Sequence, residues 1–171
     1  MLQTSHIVTC LSYDTQAEEA ANFYVGVFPG SRVISITRYT DAGQEFHRRK
    51  PGSVLTVEFE ILATGGRPGH RFMALNGGPK DKFNQSISFQ VMCDTQQEID
   101  RYWDALTADG GQPIACSWLT DKYGMSWQIV PRVMMAMLAD AESPAGKRAM
   151  TAMMGMVKLD IAELERAYAG K

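Results

Sequence analysis

Three side chains in this sequence are the strongest candidates for acid–base chemistry: His6, Glu58 and Glu60. The two glutamates are two positions apart on a predicted strand, so both point to one face of a sheet. A carboxylate on such a face acts as a general base if burial raises its pKa toward neutrality. The alternatives are a solvated carboxylate pair at a sheet edge and, for His6, a structural histidine. The catalytic residues therefore stay undetermined among these candidates.

The cysteines offer a second kind of chemistry, nucleophilic attack, which requires a neighbouring base that lowers the thiol pKa. His6 is four residues from Cys10 on the same face of a predicted strand, which is roughly 13 Å along extended chain. That distance is too long for a direct dyad. The sequence contains three cysteines, an odd number, at spacings that are not typical of a metal site. We therefore expect reduced thiols, most of them buried.

Composition excludes several classes of partner. Seventeen Lys and Arg against nineteen Asp and Glu give a net charge of −2, which provides no basic field for nucleic acid or anionic lipid. The apolar runs are too short to span a bilayer. The first residues show no basic and apolar leader, so we expect a cytoplasmic protein.

An internal repeat at an offset of 80 organises the chain. Residues 14–18 (Asp-Thr-Gln-Ala-Glu) recur at 94–98 (Asp-Thr-Gln-Gln-Glu), and each copy contains the Thr-x-x-Glu pattern of a helix capping box. Alternating strand-like segments precede both copies, at 6–13 and 86–93. Three strand-like runs follow each predicted helix. The sequence therefore predicts an α+β fold of two tandem βαβββ modules.

The predicted domain boundaries follow from this repeat. A glycine-rich break at 76–79 separates module one (1–78) from module two (79–131), and the two together form one domain, 1–131. The remaining residues, 132–171, are predicted to form a helical extension, with a short helix and then one long helix from Pro144 to about Ala169. The long helix carries one apolar stripe, predicted to pack on the domain or on a second copy: Met150, Met153, Met154, Val157, Ile161, Leu164 and Tyr168.

Several local motifs resemble a known family. Residues 16–24, 72–78, 100–103 and 126–131, with the tail 158–162, are similar to the PhnB-like family, often labelled a 3-demethylubiquinone-9 3-methyltransferase domain. This family belongs to the vicinal oxygen chelate superfamily, with glyoxalase I, extradiol dioxygenases and bleomycin-resistance proteins. The resemblance implies modules whose sheets curl into a cup, and a homodimer.

The resemblance also implies where a metal would bind, on the concave faces of the first and last strands of each module. The repeat assigns these positions to His6, Ala74, Ser86 and Gln128. Only His6 is a good ligand, and a catalytic transition metal generally needs three or four His, Asp, Glu or Cys ligands. We therefore predict no metal and no other cofactor.

The predicted cup instead presents neutral polar and apolar side chains, as a small-molecule site does. A merely hydrated face is the alternative. The predicted lining residues are Phe72, Ala74, Ser86, Ser88, Gln90, Cys116, Trp118, Ser126 and Gln128.

Three functions remain open. The first is metal-free binding of a small molecule in the cup. The second is an enzyme, either an isomerase or lyase or the labelled methyltransferase, with chemistry carried by His6, Glu58 or Glu60, and Gln128. The chain lacks the glycine-rich loop of a Rossmann-type methyltransferase. The third is a structural or regulatory dimer with a vestigial cavity.

Overall fold

The computed structural model describes residues 7–62, 69–79 and 82–171. It divides the chain into a first unit, Met1–Lys82, and a second unit, Phe83–Lys171. The first unit contains β1 (Thr9–Tyr13), α1 (Ala17–Val27), β2 (Arg32–Arg38), α2 (Gln44–His47), β3 (Val54–Ile61) and β4 (His70–Asn76). The second contains β5 (Ser88–Cys93), α3 (Gln96–Thr107), β6 (Gln112–Pro113), β7 (Trp118–Thr120), β8 (Ser126–Pro131), α4 (Arg132–Ala139), α5 (Pro144–Met154) and α6 (Ile161–Ala169).

Both units build the same four-stranded mixed sheet. The strand order is β1-β4-β3-β2 in the first and β5-β8-β7-β6 in the second. In each sheet the first and last strands of the module pair in parallel, and the other pairs are antiparallel. The predicted α+β architecture of two βαβββ modules is confirmed. The short helix α2, between β2 and β3, was not predicted.

Helix α1 covers one face of the first sheet with aromatic and aliphatic side chains. Tyr24 of α1 stacks on Phe59 of β3 at 6.0 Å between ring centroids, and Phe59 stacks on Phe72 of β4 at 5.2 Å. Leu11 and Ala74 are buried on the same face. Because side chains alternate along a strand, the intervening residues point away from α1.

The two predicted capping boxes have different outcomes. At α3 the box forms, with the Thr95 hydroxyl accepting from the Glu98 N–H and the Glu98 carboxylate accepting from the Thr95 N–H. At α1 it does not, because the helix begins one residue later and Gln16 occupies the N-cap. The N–H of Ala17 instead donates to Oδ1 of Asn76 at 2.9 Å. A residue at the end of β4 therefore caps α1, and short-range sequence patterns cannot reveal such a contact.

Helix α3 covers one face of the second sheet. The buried strand residues on that face include Val91, Leu119 and Ile129, and α3 contributes Ile99 and Leu106. A turn joins β7 to β8. Its residue Asp121 accepts the Trp127 indole N–H at 2.9 Å and two backbone N–H groups.

The C-terminal extension differs from its prediction. The short helix appears as α4, and Ser143 caps α5 with Pro144 at its first position. The prediction of a single long helix is wrong, because the helix is interrupted between α5 and α6. Gly155 ends α5, and Asp160 starts α6 by accepting from the Glu163 N–H at 2.8 Å. Glycine is a poor helix former and aspartate a good N-cap, so the break has a local cause.

The predicted apolar stripe is correspondingly divided. Its members Met153, Leu164 and Tyr168 pack in a cluster with Val130 of β8. Met154 and Val157 are 63% and 51% exposed. The extension therefore packs against one end of the second sheet. In the part of the chain that the structure describes, no helix has the length and hydropathy needed to cross a membrane.

The cap on α1 gives a stability prediction. Asn76 is 5% exposed and also donates from Nδ2 to the Val54 carbonyl at 3.0 Å. Asn76→Ala leaves a buried donor and acceptor unsatisfied, so we expect a loss of about 1–3 kcal/mol in the free energy of unfolding. Urea denaturation measures it. Asn22→Ala, at an exposed position of α1, is the matched control. Equal losses in the two variants would contradict the assigned role.

Candidate functional site

The face of each sheet that points away from its helix is here called its far face. In the second sheet, the register places Ser88, Gln90, Ser126, Gln128 and Trp118 on the far face. Strand alternation predicts this arrangement, since Phe89, Val91, Trp127 and Ile129 point toward α3.

The far face of the second sheet carries a chain of amide and hydroxyl groups. Gln90 Nε2 donates to Gln128 Oε1 at 3.2 Å, and Gln128 Nε2 donates to Ser88 Oγ at 2.7 Å. The Trp118 backbone lies opposite Gln128 in the register of β7 and β8. Ser126 is fully buried and donates to the Asn84 carbonyl at 3.4 Å. This surface combines uncharged donors and acceptors with one indole ring.

The extension limits this surface on one side. Val130 is 4% exposed in the cluster with the extension helices, and Met92, its partner in register, packs against the same cluster. Gln90, two residues before Met92, is exposed, and Trp118 and Gln128 are half-buried. The candidate site is therefore the part of this far face around Gln90, Gln128 and Trp118.

The far face of the first sheet is charged. Glu58 accepts from Arg71 at 2.5 Å and from the Ser35 hydroxyl at 3.3 Å, one bond to each carboxylate oxygen. Glu60 accepts from the Gly69 N–H at 2.8 Å and forms an ion pair with Arg32 at 3.2 Å. The two glutamates share one face, as their spacing predicts. Because all four carboxylate oxygens have partners, the arrangement favours a structural role for both over general-base catalysis.

Four of the predicted lining residues lie elsewhere. Phe72 and Ala74 point toward α1, because the register aligns Phe72 with Thr9 and Phe89 with Trp127. The equivalent of Gln128 is therefore Met73. The repeat in the sequence pairs Ala74 with Gln128, which differs by one residue from the register in the structure, and such a slip exchanges the faces of a strand.

Ser86 and Cys116 also differ from their predicted places. Ser86 is an exposed residue in a turn before β5, and the strand begins at Ser88. Cys116 precedes β7 and has a left-handed backbone. One far-face residue, Thr120, was missed. Thr120 lies two residues after Trp118 and pairs in register with Ser126. The alternation of β7 therefore predicts its place on the far face.

The described positions at which the superfamily implies a metal do not supply a set of ligands. Ala74 faces the helix, Ser86 is in a turn, and the Gln128 oxygen accepts from Gln90. His6 lies outside the described residues. Within residues 7–62, 69–79 and 82–171, no group of three His, Cys, Asp or Glu side chains could hold a metal ion. The donor set that the structure describes does not fit a catalytic transition metal.

Burial disfavours the reactive thiolate form of two of the three cysteines. Burial, followed by the charges of Glu98 and Asp94, raises the pKa of Cys93 to about 12. Burial also raises the pKa of Cys10. The Cys116 Sγ lies 3.7 Å from the Sδ of Met154, a thioether that cannot act as a base at neutral pH.

The remaining histidines lie in secondary structure rather than in loops. His70 opens β4, where its Nε2 lies 3.1 Å from the Thr9 hydroxyl, and burial lowers its pKa. His47 ends α2 and packs on the ring of Tyr39 at 4.6 Å. These contacts place the His70 imidazole beside a hydroxyl and the His47 imidazole beside an aromatic ring, and neither joins a histidine to a cysteine thiol.

A groove of about 580 Å³ lies between α5 and α6. Its residues are Lys147, Arg148, Thr151, Ala152, Ala167, Gly170 and Lys171. The Arg148 guanidinium donates to the carbonyls of Ala167 and Tyr168, the last turn of α6. Arg148 therefore ties the two helices together, and none of the far-face residues lines this groove.

A family sequence profile and a solved structure both resemble this chain. The sequence profile of the 3-demethylubiquinone-9 3-methyltransferase family matches residues 5–130. The PhnB protein of Bacillus cereus, provisionally assigned as a 3-demethylubiquinone-9 3-methyltransferase, is 32% identical with a TM-score of 0.60. That alignment covers 74% of this chain and 99% of the B. cereus protein.

A more distant structure shares the fold. Protein PA1353 from Pseudomonas aeruginosa is 16% identical with a TM-score of 0.54, over 75% of this chain and 98% of that protein. A glyoxalase family protein from B. cereus is 10% identical with a TM-score of 0.46, over 77% and 97% of the two chains. Among curated proteins, none shows significant sequence similarity to this chain.

The thiol environments give a reactivity prediction. At pH 8 a thiol with a pKa of about 12 is ionised in only about 1 molecule in 10,000, and the thiolate is the reactive form. We expect iodoacetamide to alkylate exposed Cys10 in the native protein and to leave Cys93 unmodified, as measured by peptide mass spectrometry. Denatured protein, in which all three cysteines react, is the control. Alkylation of native Cys93 at the rate of Cys10 would contradict the burial assigned to it.

Proposed function

Because the chain belongs to the 3-demethylubiquinone-9 3-methyltransferase family, the PhnB-like branch of the glyoxalase superfamily, we propose that it binds a small molecule on the far face of its second sheet. The ligand is a neutral, planar molecule with hydroxyl or amide groups, and binding needs no metal. The observation that carries this proposal is the uncharged Ser88–Gln128–Gln90 chain beside Trp118.

The charge of the site supports the neutrality of the ligand. Gln90, Gln128, Ser88 and Thr120 supply both donors and acceptors but no formal charge. A charged ligand would lose its hydration without gaining an ion pair on this surface, which is unfavourable. A neutral ligand can exchange bonds with the two amides at little cost.

The half-buried Trp118 supports the planarity of the ligand. An indole ring on a sheet surface offers a flat apolar area, and aromatic pairs contribute about 0.5–1.5 kcal/mol beyond simple burial. The neighbouring amides would then fix the orientation of the stacked ring. This combination of one apolar anchor with a few polar groups is typical of small-molecule sites.

The family name suggests a second candidate, methyl transfer. On the far face of the second sheet, no described residue is a carboxylate, histidine or lysine, which limits the groups available to accept a proton. Saturable binding of S-adenosylmethionine on this face would nevertheless replace the proposed function with the methyltransferase. We also propose a homodimer, to which exposed Met154 and Val157 would contribute apolar area.

Binding can be tested with nicotinamide as the probe and cyclohexanecarboxamide as its non-aromatic counterpart. We expect the unaltered protein to bind nicotinamide saturably. Trp118→Ala should lower the affinity about 2- to 13-fold, which is the fold-change that corresponds to the loss of one aromatic stacking contact. Gln128→Leu should also weaken binding, through loss of the amide bonds. Isothermal titration calorimetry measures both changes.

Phe46→Ala is the matched control for Trp118→Ala, since Phe46 is an aromatic residue that is 84% exposed and belongs to the first unit. It should bind nicotinamide as the unaltered protein does. Equal affinity of the Trp118→Ala variant for nicotinamide, or equal binding of cyclohexanecarboxamide by the unaltered protein, would contradict the proposed stacking.

The metal-free part of the proposal needs its own measurement. After dialysis against zinc, nickel, manganese and iron(II), we expect less than about 0.1 equivalent of metal per chain, because fewer than three good ligands converge among the described residues. Plasma emission spectrometry measures the content. Near-stoichiometric metal that is lost in His6→Ala would contradict this part and favour an isomerase, lyase or dioxygenase.

A further inference from the structure

The segment 155–160, which joins α5 to α6, is here called the strap. It lies outside residues 5–130, the part matched by the family profile. Its carbonyl groups accept two backbone bonds from the turn before β7: Cys116 N–H donates to Met156 at 2.8 Å, and Ser117 N–H donates to Val157 at 2.7 Å. The strap therefore holds the chain immediately before Trp118.

The turn held by the strap has a backbone that needs external support. Cys116 and Ser117 have φ values of 56° and 62°, so two consecutive residues with side chains are left-handed. Each such residue costs about 1–2 kcal/mol relative to right-handed backbone, and it persists only when its surroundings enforce it. The fully buried Ser117 hydroxyl has no hydrogen-bond partner among the described residues, so it does not stabilise the turn.

The turn is connected directly to the candidate site. The Ser117 carbonyl accepts from the Ile129 N–H of β8 at 3.0 Å, and the Trp118 carbonyl accepts from the Ile114 N–H at 2.7 Å. Ile129 adjoins Gln128, and Trp118 lies opposite Gln128 in the sheet. A change in the turn would therefore change the position of the indole ring relative to the amides.

The strap is in turn anchored to α3 by Gln96. Its Nε2 donates to the Leu159 carbonyl at 3.2 Å, and its Oε1 accepts from the Ile161 N–H at 2.9 Å. The ion pair between Lys158 and Asp100, at 2.8 Å, adds a second link to the same helix. Gln96 thus fixes the end of the strap, and Lys158 fixes its middle.

We propose that the strap, anchored by Gln96, is a positioning device that sets the orientation of Trp118 in the ligand site. Gln96 and Lys158 are positioning residues that act through the strap and the turn. The role in ligand binding rests on the function proposed above, whereas the effect on Trp118 is a property of the protein without ligand. The extension therefore does more than add helices to the family's domain, because it controls the aromatic anchor of the site.

The direct test labels the three tryptophans with 5-fluorotryptophan and records fluorine NMR spectra without ligand. Trp118→Phe identifies the Trp118 signal by its loss. We expect Gln96→Leu to shift or broaden the Trp118 signal while Trp103 and Trp127 keep theirs. Gln97→Leu, the exposed neighbour on the same helix, is the matched control and should leave all three signals unchanged. An unchanged Trp118 signal in folded Gln96→Leu protein would overturn the proposal, and so would equal changes at all three tryptophans.

A milder variant covers the case in which Gln96→Leu does not fold. Lys158→Met removes only the partly exposed ion pair to Asp100, and Lys147→Met, which breaks the exposed pair with Glu142, is its control. We expect Lys158→Met to move the Trp118 signal alone and to weaken nicotinamide binding by no more than Trp118→Ala does.

The two proposals fail in different ways. If the unaltered protein binds no nicotinamide, the proposed function fails, whereas the Trp118 signal still tests the strap. If Lys158→Met leaves the Trp118 signal in place, the strap proposal fails whatever the binding result.

Discussion

The structure depends on one constraint: a single helix covers one face of each four-stranded sheet. Because side chains alternate along a strand, that helix assigns every second residue to the core and the others to the far face. In the second sheet this separates Ile129 and Trp127, which pack under α3, from Gln128, which does not. The candidate site therefore follows from the same alternation that builds the core.

The same constraint gives the two sheets different chemistry. At equivalent positions, the first sheet carries Cys10 opposite Met73, and the second carries Gln90 opposite Gln128. Glutamates and arginines pair on the first far face, whereas the described second far face is uncharged. In both sheets the face packed on the helix is apolar, but the far faces differ, and among the described residues only the second offers neutral donors and acceptors beside an indole.

The sequence predicts the architecture well, because repeat, alternation and turn residues all act over short distances. It fails where distant contacts decide the outcome. Asn76 replaces the predicted cap of α1, and nothing near residue 16 indicates this. A register slip of one residue placed Ala74 on the wrong face, and the break at Gly155 was hidden by a continuous apolar stripe. Ser88, Gln90 and Gln128 lie on the far face, as the uninterrupted alternation of their strands predicts.

The most direct test of the central claim observes the glutamine side chains themselves. In a nitrogen-15 NMR titration with nicotinamide, the account predicts saturable shifts of the Nε2 signals of Gln90 and Gln128, with Gln97, exposed on α3, unaffected. Those two signals would be assigned from Gln90→Leu and Gln128→Leu spectra. Shifts confined to other residues, such as Arg148 in the groove between α5 and α6, or no saturable shift at all, would contradict the claim that this face binds the ligand.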